Sequence, residues 1–334
     1  MSISKTSFPA TLGTFALSAP VSEHQDQPTT ATAGLVFAHN STAGGFEPTS
    51  SMCRRVTGCL AGVNGDFFAN GEAVGGAISR CLLLHTPQVP HELAFLNSSN
   101  TAHNFYWSAK LVDASGKPTA VTAMNTSVGH PSLTAYSSRF GRLTRAGAGI
   151  IDLIFTSPSA PNVAYLNRSA ILSLVARHAG GGTAVARNQV VVSALSSAAL
   201  GGLDVLKIGQ QVTFGVSSNL GCDVVGAHPV IVENGRAALT DPRDYMLYVP
   251  RARTVLAHTY LGQTMLVTFD GGLADGHGAT IPQVVTWLQR FHVVSAVNLD
   301  GGGSTTFVTS HGVLNHPSDG RERAVSQSLV VVRP

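Results

Sequence analysis

The apolar residues of this chain come in short runs of about five to eight residues, separated by Gly, Ser, Thr and Asn. No run approaches the roughly 20 apolar residues of a membrane-spanning helix, so we expect no transmembrane segment. Short β-branched runs bounded by turn-forming residues are typical of strands. Because 44% of the 334 residues are hydrophobic and 12% are charged, the chain is globular and not disordered. The sequence therefore predicts an α+β protein, with strand-rich mixed or antiparallel sheets and few helices.

We expect residues 1–50 to form an N-terminal extension that ends in a first strand at 34–39, and residues 51–334 to form one large domain. The other predicted strands cover 60–63, 77–84, 105–112, 150–155, 170–177, 184–192, 211–216, 228–233, 253–260, 264–269, 293–299, 306–310, 312–315 and 326–332. Asn234-Gly235 predicts a tight turn. Thr280 predicts the N-cap of a helix that has Pro282 in its first turn.

The four cysteines form no CxxC pair, which argues against a zinc knuckle or a thioredoxin-like motif. Cys53 and Cys59 are close enough in sequence to bridge a short loop in an oxidising compartment. Cys81 and Cys222 form either a second bridge or free core thiols. Residues 1–20 lack the apolar core of a signal peptide, so the protein either stays inside the cell or has lost its signal. We expect a secreted or extracytoplasmic protein.

The formal net charge is +3, and the basic residues are scattered. No block of Lys and Arg interleaves with aromatic residues, so we expect no nucleic-acid partner. Oligomeric state leaves no signal in the sequence. The thirteen histidines include no HExxH spacing, and the chain has neither a GxSxG elbow nor a GxGxxG turn between strand and helix. These absences argue against zincins, α/β-hydrolases and dinucleotide-binding enzymes.

The segment from Asn298 to Thr306 has the strongest chemical signal. Residues two apart on a strand point the same way, so we expect the Asn298 and Asp300 side chains to share a face. The three glycines that follow allow a sharp bend and present backbone N–H groups to an anion. The alternative is a plain glycine-rich bend after a buried strand.

Two further segments carry polar residues at predicted turns. Asn64-Gly65-Asp66-Phe67-Phe68 places two polar side chains beside aromatic rings suited to a sugar, or is an ordinary Asn-Gly turn. Arg253 opens one predicted strand and Asp270 ends the next, so pairing of these strands would bring the two residues to one end of the sheet. There Arg253 suits bidentate phosphate binding, or the two residues are a surface ion pair and a turn aspartate.

Read in order, these segments resemble the phosphodiester glycosidase family, of the uncovering-enzyme type. The family pattern NGGFF or NAGFF corresponds to residues 64–68, R-T-A-I-G to 253–257, V-D-G to 269–271, and N-L-D-G-G-G-S-T-T to 298–306 without a change. A P-S-D segment at 317–319 and an E-R-x-V-S run at 322–326 complete the likeness. It covers roughly 55–85 and 225–334 and leaves 100–220 unmatched. Ala257 and Asp66 depart from the family, since glycine is commoner at both positions.

The resemblance implies a hydrolase that cuts the bond between the anomeric carbon of a sugar, such as an N-acetylhexosamine, and a phosphodiester oxygen. A phosphate monoester is a good leaving group, so the site needs a cation stabiliser, a water activator and a cradle for phosphate charge more than a strong acid. The candidate catalytic residues are Arg253 (phosphate), Asp270 and Asp300 (water activation or cation stabilisation). The candidate substrate-binding residues are Asn64, Asp66, Asn298, Gly301, Gly302, Gly303, Ser304 and Thr305. No cofactor is expected to be required, although calcium near the carboxylates is an open alternative.

Two other functions remain open from the sequence. A glycosidase that acts on a plain polysaccharide linkage would need an acid of raised pKa, for which Glu233 and Asp66 are the candidates. A carbohydrate-binding protein that has the fold without the activity would bind sugar and release none.

Overall fold

A computed structural model describes residues 45–88, 106–128, 131–160, 163–219, 221–222, 224–239, 246–271 and 278–332, together with the backbone of five further strands and of Tyr245. The predicted first strand, Gly34–His39, is one of these five. Phe105, at which we predicted a strand to begin, lies outside the described residues. Strands dominate the described part, and helices are few, as predicted. Within that part no helix is both long and apolar enough to cross a bilayer.

A seven-stranded antiparallel sheet contains the predicted 253–269 hairpin at its centre. Its strands, in spatial order, are Ser2–Ser7, Thr11–Ser18, Gln263–Phe269, Arg253–Thr259, Val293–Asn298, Val230–Glu233 and Arg236–Ala237. Arg253 pairs with Phe269, so Arg253 and Asp270 do lie at one end of the sheet. Asn234 and Gly235 both have positive φ, in the tight turn that their sequence predicted.

A five-stranded antiparallel sheet, here called the C-terminal sheet, carries the strand before Gly65. It consists of Gly312–Val313, Phe307–Thr309, Cys59–Asn64, Gln327–Val332 and Gly34–His39. A second five-stranded sheet, the bridging sheet, consists of Ala102–Asn104, Glu92–Phe95, Val224–Gly226, Ala77–Ser79 and Leu82–His85. Two small ribbons pair Glu47–Pro48 with Ala324–Val325 and Phe68–Ala69 with Glu72–Ala73.

Residues 107–218 contribute the strands of an eight-stranded sheet. Its order is Pro118–Val121, Trp107–Val112, Gln211–Ser218, Arg168–Gly181, Ala146–Thr156, Gln189–Ala194, Leu133–Ser137 and Ala123–Met124. Neighbours are antiparallel except for the last two strands, which are parallel. One apolar core joins this sheet to the others, because its Phe155 and Val192 belong to the same buried cluster as Val63 and Leu256.

The central strands of the seven-stranded sheet, Arg253–Thr259, Gln263–Phe269 and Val293–Asn298, are buried on both faces. Leu256 and Val297 face the shared core, whereas Val255 and Val267 face a second cluster under helix Ile281–Gln289. The helix is closed at its N-terminus by the predicted Thr280 cap and buries one apolar face, formed by Ile281, Val284, Val285 and Leu288. Burial of a large apolar side chain stabilises the fold by about 1.5–3 kcal/mol, so both clusters fix the strands that end at the polar segments. The other helices are Thr49–Arg55, Ser197–Leu200 and Tyr245–Tyr248, with 3₁₀ turns at Gly201–Val205 and Gly302–Ser304.

Some elements of the structure differ from the prediction. Helix Thr49–Arg55 was not foreseen, because its seven residues are too few to show an apolar period. The run at 77–84 is two strands, because Arg80 and Cys81 turn the chain with positive φ. The strand predicted at 184–192 begins only at Gln189 and extends to Ala194.

Two disulfides join Cys53 to Cys59 and Cys81 to Cys222. The sequence allowed the first bridge without deciding it, and the second settles the open choice between a bridge and free thiols. The backbone reinforces the second link, because the Cys81 N–H donates to the Cys222 carbonyl at 2.8 Å. The 80–82 turn is therefore tied to the chain just before strand Val224–Gly226.

Candidate active site

Two loops meet where the C-terminal and seven-stranded sheets come together. The Asn64 amide donates to the Asp300 carbonyl oxygen at 2.7 Å, and the Asp300 N–H donates to the Gly65 carbonyl oxygen at 3.0 Å. Asn64 Oδ1 accepts from Thr254 Oγ1 at 2.7 Å and from the Thr306 N–H at 3.1 Å. Asn64 is fully buried. Its described hydrogen bonds are all internal, and they join three segments of the protein. This position does not favour the sugar contact that the sequence suggested.

Asp66 lies in a narrow slot between two glycines. Its carboxylate accepts from the Phe67 N–H at 2.8 Å and from the Gly75 N–H at 2.6 Å. A Cβ atom at Gly75 or Gly226 would overlap this carboxylate. Burial raises the pKa of Asp66 to about 7, and the charge of Asp300 acts in the same direction, against the two hydrogen bonds and His228. Asp66 is therefore partly protonated near neutral pH.

Asp300 follows strand Val293–Asn298 and keeps part of its surface open to solvent. The Gly301 N–H donates to its Oδ1 at 2.8 Å. Burial raises the pKa of Asp300 to about 6, although Ser304, the Gly301 N–H and the charge of Arg323 lower it. At pH 7 Asp300 is mainly a carboxylate, and it lies within electrostatic reach of a partly protonated Asp66.

The glycine loop uses most of its amides internally. The Gly301 N–H binds Asp300 and the Gly302 N–H donates to the Ala252 carbonyl at 2.8 Å. For the Gly303 N–H we find no acceptor among the residues that the structure describes. The predicted cradle of three amides is therefore reduced to one available donor, because the other two hold the loop in shape.

The two hydroxyl residues after the glycines are fully buried. Ser304 Oγ accepts from Arg323 Nη1 at 3.3 Å, and Thr305 Oγ1 lies 3.3 Å from Thr254 Oγ1. Both support the loop from beneath, and direct substrate contact is not favoured by their burial.

Arg253 is only 5% exposed, at the start of its strand. Its guanidinium donates to the carbonyl oxygens of Ala279, Met246 and Val249 at 3.1, 2.7 and 2.8 Å. These contacts anchor the segments on either side of the strand. The predicted phosphate contact is not favoured, because its described donors already bind the backbone.

Asp270 is likewise turned toward the protein. Its Oδ1 accepts from the Asn315 amide at 3.2 Å and from the His316 N–H at 3.1 Å, while Oδ2 lies 3.2 Å from His316 Nδ1. Asn315 also donates to the Thr305 carbonyl at 3.0 Å. Asp270 thus holds the loop after Val313 against the glycine loop.

Asn298, the last residue of its strand, is nearly buried. Its amide donates to the His228 carbonyl at 2.8 Å, but its Oδ1 has no hydrogen-bond partner among the described residues. A buried acceptor without a donor costs about 1–3 kcal/mol. The free Oδ1 of Asn298 is consistent with a ligand that donates a hydrogen bond to it.

Three residues beside the carboxyl groups had no predicted role. Arg323 has a side chain that is 41% exposed, pairs with Asp319 at 2.7 Å, and lies above the Gly303 backbone, where a Cβ would overlap it. His228, an exposed residue, adds its charge near Asp66. For Arg323 and Asp319 the sequence did contain a signal of their pairing, because they lie four residues apart within the E-R-x-V-S and P-S-D segments.

Together the loops combine the mainly ionised carboxyl group of Asp300, the partly protonated one of Asp66 and the partly exposed guanidinium of Arg323. Such a set can activate water, supply or hold a proton and bind an anion. Glu233, the other acid considered, is exposed near the hairpin turn at 234–235. No group of three His, Cys, Asp or Glu suited to a metal occurs in the part of the chain that the structure describes.

Part of the chain is similar in sequence to known enzymes. The chain is 40% identical over 68 residues to the bovine N-acetylglucosamine-1-phosphodiester alpha-N-acetylglucosaminidase and 40% identical over 68 residues to the human one. The match covers 20% of this chain and 13% of either relative, so the chain spans about an eighth of their length.

Solved structures share the fold over nearly the whole chain. A putative exported protein from Burkholderia pseudomallei has a TM-score of 0.71 at 21% identity, covering 97% of this chain and 74% of that one. A hypothetical protein from Synechocystis has a TM-score of 0.72 at 17% identity, covering 97% and 59%. The zebrafish N-acetylglucosamine-1-phosphodiester alpha-N-acetylglucosaminidase catalytic domain, auto-inhibited by its pro-peptide, has a TM-score of 0.50 at 15% identity, covering 100% and 82%.

The family-level comparison covers the segment that holds most of the site. The pattern of the phosphodiester glycosidase family, NAGPA, matches residues 148–332, which is more than half of the chain and includes Asp270, Asp300 and Arg323. The chain belongs to the phosphodiester glycosidase family.

Proposed function

We propose that the protein hydrolyses the bond between the anomeric carbon of a sugar and a phosphodiester oxygen. The observation that carries this proposal is the position of Arg323: a partly exposed guanidinium beside the carboxyl group of Asp300. Arg is the side chain best suited to a phosphodiester oxygen, because its fork of N–H donors matches the phosphate geometry. Family membership agrees with this reaction class.

Asp300 is our candidate for the group that activates water or stabilises the cation. Its carboxylate takes a proton from water as the water oxygen bonds to the anomeric carbon. The bond from that carbon to the phosphodiester oxygen breaks, and its electron pair leaves with the phosphate monoester. The products are a free sugar and the monoester. The leaving group is a weak base, so the step needs charge stabilisation more than a strong acid.

We assign the leaving phosphate to Arg323 and the Gly303 N–H, in place of Arg253. Asp319 and Ser304 hold the guanidinium, with Asp319 Oδ2 accepting from Nε at 2.8 Å. Asn298, through its unmet Oδ1, and Asp66 are the candidates to accept hydrogen bonds from the sugar. Asn64 and Asp270 position the loops. We assign no step to a metal, and calcium stays a prediction from the sequence.

The sugar is an N-acetylhexosamine in this proposal, because the locally similar bovine and human enzymes are N-acetylglucosamine-1-phosphodiester alpha-N-acetylglucosaminidases. We also place the protein outside the reducing cytosol, because it has two disulfides. The structurally similar Burkholderia protein is described as exported, in agreement with this location.

One observation favours a second candidate, a glycosidase for plain linkages. An acid with a pKa of about 7, as Asp66 has, suits protonation of an alkoxide leaving group. Sugar release from paired substrates decides between the two. N-acetylhexosaminyl phosphodiesters and the matching plain N-acetylhexosaminides are tested in both anomeric forms. Release from phosphodiesters alone supports the proposal, whereas release from plain glycosides alone supports the second candidate and contradicts the first.

A further inference from the structure

A buried His–Glu pair lies directly behind Asp66. The side chains of His85 and Glu72 are 2% and 0% exposed, and His85 Nε2 lies 3.5 Å from Glu72 Oε2. Neither residue reaches the open part of the site. The proposed reaction uses neither of them, and burial of an ion pair is costly unless its geometry is well satisfied.

The backbone of Gly75 links this pair to Asp66. The Gly75 N–H donates to Asp66 Oδ2 at 2.6 Å, and the Gly75 carbonyl lies 3.2 Å from His85 Nδ1. A carbonyl oxygen only accepts, so His85 Nδ1 carries the proton and donates. The N–H and the carbonyl belong to successive peptide groups on either side of the Gly75 Cα, so the His85 bond acts on Asp66 by fixing where the Gly75 backbone lies.

Glu72 is held as a carboxylate by several donors. Thr126 Oγ1 donates to Oε2 at 2.7 Å and Ser127 Oγ donates to Oε1 at 2.8 Å. Burial alone would raise the pKa of Glu72, but hydrogen bonds from His85, Thr126 and Ser127 hold it below its ordinary value. Nδ1 on the Gly75 carbonyl and Nε2 facing the Glu72 carboxylate together fix the ring plane of His85.

We propose that His85, oriented by Glu72, is a positioning residue that fixes the Asp66 carboxyl group by holding the Gly75 backbone in place. The inference rests on the role given to Asp66 in the proposed function. The charged groups that act on Asp66 directly are Asp300 and His228. Glu72 also has Arg142 Nη1 at 3.9 Å from Oε1.

The expected consequence is a selective effect on the ionised form of Asp66. A hydrogen bond to a carboxylate favours its charged state. Loss of the His85 donor weakens the Gly75 bond and raises the pKa of Asp66 further. A residue that only filled the core would change stability without moving this pKa.

The test compares His85→Asn with His85→Gln. The asparagine amide takes the place of Nδ1 and can still donate to the Gly75 carbonyl, whereas the glutamine amide reaches toward Nε2 and Glu72 and leaves that carbonyl without its donor. Both variants remove the imidazole ring and leave Glu72 in place. The carboxyl carbon of Asp66 is titrated by ¹³C NMR, with its signal assigned from Asp66→Asn, and folding is checked by thermal denaturation.

We expect His85→Gln to titrate Asp66 about one pH unit higher than His85→Asn, and to turn over about tenfold more slowly with little change in KM. Equal Asp66 titration in the two variants overturns the inference. If both unfold, Glu72→Gln combined with His85→Leu removes the Glu72 carboxylate and the His85 donor together and should still raise the Asp66 titration above that of the wild type; an unchanged titration again overturns the inference. The NMR measurement needs no substrate, so it tests the role of His85 independently of the proposed reaction.

Discussion

The Asn64 amide donates a 2.7 Å hydrogen bond to the Asp300 carbonyl across 236 residues of sequence. With the Gly65–Asp300 backbone bond, it ties the end of a C-terminal-sheet strand to the end of a seven-stranded-sheet strand. Of the two carboxyl groups of raised pKa, that of Asp66 follows directly after Gly65 and the other belongs to Asp300 itself. The geometry of the site therefore depends on the register of two sheets and not on one motif.

Gly226→Ala tests the slot around Asp66. A Cβ at Gly226 would overlap the Asp66 carboxylate, so we expect the carboxyl group to be displaced and turnover to fall by about 100-fold or more. Gly215→Ala is the matched control on another strand, because a Cβ there meets nothing nearer than 3.6 Å. Equal turnover of the two variants would show that the position of Asp66 does not matter to the reaction.

Asp66→Asn should flatten the dependence of stability on pH. The folded pKa of about 7 exceeds the unfolded value, so the contribution of Asp66 is fully present below about pH 4 and is lost as pH rises to about 7. This loss is at most about 4 kcal/mol, from a shift of about three units at 1.36 kcal/mol each. Urea midpoints at pH 4.5 and pH 8 measure it. A wild-type midpoint that rises over this interval, or a variant with the wild-type slope, would contradict the assignment.

Arg323→Gln should weaken the use of phosphodiesters specifically. Loss of a charged phosphate contact costs about 2–3 kcal/mol, or roughly 30- to 150-fold in kcat/KM. Arg321→Gln removes an exposed arginine of the same segment and should leave kcat/KM near wild type. If Arg253→Lys folds normally and loses phosphodiester use while Arg323→Gln retains it, the phosphate contact belongs to Arg253 after all.

Removal of the Cys81–Cys222 bridge should cost more stability than removal of Cys53–Cys59. The two bridges close loops of very different length, with separations of 141 and 6 residues, and longer loops lose more unfolded-state entropy on bridging. We expect the Cys81→Ala/Cys222→Ala variant to lose about 2–5 kcal/mol. Equilibrium denaturation of the two double variants side by side measures the difference, and a larger loss for Cys53→Ala/Cys59→Ala would refute this order.

Much of the fold could be predicted where local signals are strong. The hairpin of Arg253–Thr259 and Gln263–Phe269, the Asn234-Gly235 turn and the helix capped at Thr280 all carry local chemistry that decides their conformation. The turn at Arg80-Cys81 carries none, because the bridge to Cys222 and neighbouring strands stabilise its positive φ angles. Tertiary contacts therefore determine the conformation of this turn.

The site was predicted less completely than the fold. The segments 64–66 and 298–306 do meet, but the sequence does not reveal which polar groups form their hydrogen bonds within the protein. Arg253 and Asn64 are such groups, since their partners come from distant segments. Arg323 and His85 were not singled out, because their roles depend on the partners that the fold brings to them.

The central claim is that Asp300 drives hydrolysis of a glycosyl phosphodiester. Its most direct test is the rate of sugar release from an N-acetylhexosaminyl phosphodiester by wild type and Asp300→Asn, with the matching plain glycoside alongside. Release from the phosphodiester alone, reduced about 10²- to 10⁴-fold in the folded variant, is the predicted result. Undiminished release by Asp300→Asn, or release from the plain glycoside alone, would contradict the account.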